Sequence, residues 1–239
     1  MFQTDPFSLI VLFVGLSLLP FVAMVATSYL KIVVVMSLIR NALGIQSIPP
    51  NMVVNALAMI LTFYIMAPAA SESWNIAKAE LEKTDRAAAA EAVSPGSSAP
   101  AAIGRSGVFF ETDAVAKAAE PFRGFLSSHT SDRERAFFVN TAERLWAKSE
   151  DEPAEVDPES FYILVPAFCV SELTKAFQIG FLVYLPFIAI DIIVSNILLA
   201  MGMMMVSPVT ISLPFKLLLF VMVDGWTLLV QGLVRGYAI

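Results

Sequence analysis

The stretch IGFLVYLPFIAIDIIVSNILLAMGMMMVSPVTISLPFKLLLFVMVDGW (Ile179–Trp226) decides the fold class. Two apolar arms, interrupted only by the charges Asp191, Lys216 and Asp224, flank a loop-like segment, Met201–Pro208. Each arm is close to the roughly 20 apolar residues that cross a hydrocarbon core. Neither arm shows the apolar/polar alternation of a barrel strand. A segment in contact with lipid must satisfy its backbone internally, so both arms read as helices. The stretch is a helical hairpin built for an apolar surrounding.

The same texture extends over most of the chain. Further apolar blocks run over Phe7–Ile39, Met52–Ala70 and, N-terminal to the hairpin, from Phe161, with a polar interruption at Ser171–Gln178. The last arm continues to Val234. The first block is too long for one ordinary span, and its breaks are Pro20, Thr27 with Ser28, and Lys31. Across all 239 residues, 57% are hydrophobic and 15% charged, and the mean hydropathy is +0.74. Soluble domains carry about 25% charged residues. Of the 36 charged residues, 27 lie in residues 71–160. These values exclude an ordinary soluble enzyme and a disordered chain. The net charge of −6 leaves no basic footprint for nucleic acid. The fold class is an all-α membrane protein in contact with membrane lipid. It divides into 1–70, N-terminal hydrophobic helices; 71–160, an acidic, mostly helical extramembrane region; and 161–239, the C-terminal hairpin.

Within 71–160, the tract Ala87–Gly107 is rich in small residues and reads as a flexible insert. Ser131 and Glu134 have capping-box spacing ahead of the helical pattern RERAFFVNTAERLW. Lys31 and Arg40 flank the connection Asn41–Asn51, which the positive-inside rule puts in the cytoplasm. The acidic region 71–160 then lies on the periplasmic side of a bacterial inner membrane. No basic n-region precedes the first block, so it reads as a retained element and not as a cleaved signal peptide.

Ionisable residues in apolar blocks are expensive and mark function or structure. Lys31, Glu172, Lys175, Asp191, Lys216 and Asp224 are the candidates. As a relay they would serve a secondary transporter or ion channel. As structural pairs they would join helices or subunits, which their scatter and the lack of a second carboxylate nearby favour. Met201, Met203, Met204 and Met205 surround Gly202. One or two methionines would fill a core, but four at a hairpin tip suit a soft constriction around a shared axis. His129 and Cys169 stand 40 residues apart on different kinds of segment, a poor basis for a metal site or a dyad. Prolines at 20, 68, 166, 186, 208 and 214 predict kinked helices. No phosphate loop, zinc motif or nucleophile elbow occurs, so neither cofactor nor enzyme is expected.

RNALGIQSIPPN (Arg40–Asn51), PAFCVSELTKAFQIGF (Pro166–Phe181) and GMMMVSPVTISLPFKLLLFVMVDGW (Gly202–Trp226) resemble the SctR/FliP family of type III secretion export-gate proteins. The resemblance implies kinked helical hairpins assembling as a homo-oligomer, a pentamer, in a helical pore complex. It implies two smaller partners, the S/Q and T/R export-gate components, alongside other export apparatus proteins. Unfolded secreted proteins would be the substrates. In that family the methionine loop is a pore gasket, a role that falls here on Met201, Met203, Met204 and Met205. The embedded charges would serve contacts between subunits. The missing signal peptide favours the injectisome branch over the flagellar one. A membrane-anchored scaffold working through 71–160 is the remaining alternative.

Overall fold

A computed structural model describes residues 6–45, 48–92, 112–147 and 156–238. Among them all regular structure is helical: α1 (Pro6–Val25), α2 (Tyr29–Ala42), α3 (Asn51–Ala92), α4 (Thr112–His129), α5 (Asp132–Leu145), α6 (Phe161–Ala200), α7 (Pro208–Met222) and α8 (Gly225–Arg235). The chain is an all-α membrane protein. Helices α3 and α6 are each long and apolar enough to cross a bilayer alone. The pairs α1–α2 and α7–α8 qualify as broken spans, bent by 56° and 59°.

The long first block divides at Ala26–Ser28, whereas Pro20 stays inside α1. Thr27 explains the choice. Its hydroxyl donates to the Ala23 carbonyl at 2.6 Å and also accepts from the Tyr29 N–H at 3.4 Å. Such local bonds offer the backbone an alternative to the helical ladder. The second bend sits at Asp224, whose φ of 51° and ψ of 45° are left-handed. Gly225 follows because a Cβ there would lie 2.3 Å from the Phe220 ring. The Phe220 ring in turn meets Trp226 edge-on at 5.4 Å.

Helix α3 runs through residue 70, where composition places a boundary. Its 42 residues extend about 63 Å at 1.5 Å per residue, twice the hydrocarbon thickness. The chemistry changes at that point while the backbone continues. Residues 87–92 of the small-residue tract belong to α3, and the rest, 93–107, lies outside the described residues. Helix α6 likewise continues through the polar interruption Ser171–Gln178, where Glu172 and Lys175, three residues apart on one helix, pair in place.

Helix α2 is the hub. Its Ile32, Val35, Met36 and Ile39 are fully or almost fully buried against α3, α6, α7 and α8. It crosses α6 closely at Gly180, where a Cβ would sit 2.3 Å from Leu38 Cδ1. A second cluster, Leu126 with Leu164 and Phe168, seats α4 on the first half of α6. Lys117 pairs with Glu80 at 3.3 Å and ties α4 to α3. The capping box expected at Ser131 does not form. Ser131 has cap geometry but no side-chain cap bond, and its backbone N–H donates to Ser171 Oγ on α6 at 3.0 Å instead. Docking on α6 takes the donor that a local cap would have used.

Candidate functional site

Helix α6 ends in a glycine-terminated wrap. The Met203 N–H bonds to the Leu198 carbonyl and the Gly202 N–H to the Leu199 carbonyl, at 2.9 and 3.0 Å. This crossed pair with Gly202 at φ 72° is the Schellman arrangement, which a residue without Cβ adopts at no cost. Ser207 is extended and Pro208 opens α7 at its first turn, where the missing N–H is no loss. The loop between these stops presents its methionines outward. Met201 is 66% exposed, Met203 41%, Met204 81% and Met205 fully exposed. They fill no core within this chain.

Two turns below the loop, a partly buried charge pair fixes the hairpin. Lys216 Nζ on α7 lies 2.6 Å from Asp191 Oδ2 on α6, and Ser212 Oγ donates to Asp191 Oδ1 at 2.5 Å. Lys216 also donates to the Ala42 carbonyl at 3.2 Å, placing its charge at the negative end of α2. Three helices thus converge on one ammonium. Lys216→Met should leave Asp191 with a hydroxyl alone. The aspartate is a third exposed, so the expected loss is on the order of 2 kcal/mol. Thermal unfolding in detergent checks it, and Lys216→Arg should lose less.

The second cluster surrounds Glu172, which has no solvent exposure. Lys31 Nζ on α2 lies 3.4 Å from its Oε2, and Lys175 Nζ lies 3.0 Å from its Oε1. Tyr237, beyond α8, donates its hydroxyl to Oε2. The Tyr237 ring receives Lys31 on its face at 4.1 Å and lies against Phe125 and His129 of α4. Lys175 completes the set by donating to the His129 carbonyl at 2.7 Å. Elements from four parts of the chain meet on one carboxylate.

Five of the six embedded charges singled out from the sequence therefore pair inside a single chain. Asp224 does not: it is exposed at the α7–α8 bend and has no side-chain hydrogen bond or ion pair among the described residues. Arg40 donates to Asn51 Oδ1 and closes the α2–α3 connection. Since Lys31 is buried in an ion pair, the orientation expected from loop charges rests on Arg40. His129 and Cys169 stay apart. His129 Nδ1 engages the Phe125 carbonyl at 2.9 Å, and Cys169 Sγ donates to the Val25 carbonyl at 3.5 Å. Sequence reading missed Ser212, Tyr237 and the carbonyls of Ala42 and His129. Nothing in local spacing announces a partner tens of residues away.

A sequence model described as the FliP family matches residues 12–233, which include the methionine loop and every residue of the two charge clusters except Tyr237. The chain belongs to the FliP family. It is 49% identical over 234 residues to the Yop proteins translocation protein R of Yersinia pestis, covering 98% of this chain and 97% of that one. It is 44% identical to the hypersensitivity response secretion protein HrcR of Ralstonia nicotianae, over 96% of each chain. The flagellar biosynthetic protein FliP of Bacillus subtilis is 39% identical, over 96% of this chain and 90% of that one. Membership in the FliP family makes the chain a type III secretion export protein of the inner membrane. Its family comprises structural parts of the export apparatus, not enzymes.

Proposed function

We propose that this chain is the core pore subunit of an injectisome export gate, closing the path for unfolded proteins with its methionine loop. The observation that carries the proposal is the exposed loop itself. Four methionines at a rigidly capped hairpin tip have no contact to make within one chain, but several copies around an axis would bring them together. A ring of unbranched, polarisable side chains excludes water and ions yet yields to a passing polypeptide. Exposed Phe13, Phe21, Phe63 and Phe181 leave ample apolar surface for lipid and neighbouring subunits. The resemblance supplies the copy number, five, and the two smaller partner components. Arg40 at the end of α2 supports a cytoplasmic α2–α3 connection, with region 71–160 on the periplasmic side.

Relative identity favours the injectisome branch. The chain is 49% identical to the Yersinia translocation protein and 43% to the Salmonella virulence protein YscR, against 39% and 38% for two flagellar FliP proteins. A proton or ion relay has less support, because Glu172 and Asp191 are both held by lysines of the same chain. The native mass of the chain, extracted in mild detergent, tests the pore reading. A discrete particle of about five copies is expected, growing to a larger defined complex with the partner components. A monomer or dimer that those components leave unchanged would remove the physical basis for a shared pore.

A further inference from the structure

Helix α8 is fastened at its far end and gapped beneath its middle. It leaves α7 through a 59° bend at Asp224, which has a φ of 51°, and Gly225. No charge pair pins it: Asp224 and Arg235 are exposed and have no side-chain partner among the described residues, and α8 has no side-chain cap. At the far end Leu233 is buried in the core around α2, and Tyr237, just beyond the helix, donates its hydroxyl to Glu172 on α6. The Tyr237 ring stacks on Phe125 of α4 at 5.9 Å, with His129 of α4 at 5.1 Å and the Lys31 ammonium of α2 at 4.1 Å. Three helices hold the end of the chain, and α7 is not among them.

Between these points α6, α7 and α8 leave a gap of about 410 Å³, lined by Val183 and Phe187 on α6 and Leu219 on α7. On α8 the lining residues Gly225, Leu228, Leu229, Gly232 and Leu233 follow helical spacing, which puts Gly232 near the middle of that face. A Cβ on Gly232 would meet nothing within 4 Å. An apolar gap forfeits the dispersion contacts its lining could make, so closing it is favourable once α8 is free to move. We propose that α8 is a strap that closes this gap by sharpening the bend at Asp224 and Gly225, and that Tyr237 is the catch holding it open. Gly225 supplies the backbone freedom that a hinge absorbs. Leu229 and Leu233 both line the gap and pack in the α2 core, so they exchange one apolar contact for another as the strap moves. The catch rests on α4, so displacing α4 releases α8, and the position of α4 is passed to α7, the arm that carries the methionine loop. The device lies within one chain and needs no second copy.

The test is a distance measurement in the full chain, extracted in mild detergent and carrying Cys169→Ser. Spin labels are placed at the exposed Leu182 on α6 and Gln231 on α8, and labelled chains are diluted with unlabelled ones so that each distance lies within one chain. The wild type is expected to show one main distance. Tyr237→Phe keeps the ring but loses the bond to Glu172, and should raise a shorter-distance population on the order of tenfold, the scale of one hydrogen bond to a charged group. Phe125→Leu thins the ring stack without touching Glu172 and should raise the same population. Gly232→Leu added to either variant should remove it, because the larger side chain has room under the open strap and none under the closed one. A single unchanged distance in the variants overturns the proposal, and this is the result that a lipid chain filling the gap would give. A longer distance overturns it too, as does a shorter one that Gly232→Leu leaves in place. The native mass of the complex reports on the pore reading separately, so either reading can fail without the other.

Discussion

Glu172→Ala is expected to destabilise the chain by about 3–5 kcal/mol, the largest effect of any single substitution considered. The carboxylate has no solvent exposure and answers two ammonium groups and a phenol. Its removal leaves Lys31, itself 3% exposed, as an uncompensated charge over the Tyr237 ring. Lys175 can turn toward solvent, since 39% of its side chain is already exposed, so the burden falls on Lys31. The tie between Tyr237 and α6 goes with it, and the seat of α4 against the end of the chain should loosen. A double-mutant cycle separates pairing from packing. Lys31→Met combined with Glu172→Met should recover most of the loss, because an apolar pair of similar volume often matches a buried ion pair. Unfolding in detergent reads the four corners of the cycle. Strict additivity, or wild-type stability in Glu172→Ala, would show that the pair does not hold α2 against α6.

The helices and the loop were legible because their signals are local. Apolar runs of spanning length, Gly202 after a long helix and Pro208 at the start of the next all act within a few residues. The same locality sets the limits. The spacing of Glu172 and Lys175 allows the local pair that forms, yet Glu172 is also satisfied by Lys31, which is 141 residues earlier, and by Tyr237, 65 residues later. Ser131 and Glu134 have the spacing of a capping box, but tertiary packing gave the Ser131 N–H to Ser171. At residue 70 the composition changes while the helical ladder does not. Pairing across the fold is a long-range property, so one sequence shows which charges need partners and not which ones they find. Asp224 and Arg235 stand out only once every other embedded charge has been accounted for.

The two charge clusters and the methionine loop bear on one mechanical arrangement. Asp191 and Lys216 brace the hairpin about two turns from its tip, and the Lys216 contact with Ala42 ties that brace to α2. The Glu172 cluster holds the other half of α6 to α2 and to α4. Stiff arms carrying a soft tip suit a seal that must close tightly and reopen around chains of varied side chains. Methionine supplies the softness, through three rotatable bonds and a polarisable sulfur. Alanine or glycine would keep the loop but withdraw the side chains that, on the proposed reading, would fill a shared axis.

Ion permeability of the inner membrane in cells carrying Met203, Met204 and Met205 replaced together by Ala measures the seal directly. The replaced side chains lie outside both cores, so assembly, followed by native mass, should be unchanged. The account predicts a membrane that leaks small ions through a correctly assembled complex, with the leak absent when the complex is not made. An assembled complex with wild-type ion permeability would contradict the assignment of the methionine loop as the seal of the pore.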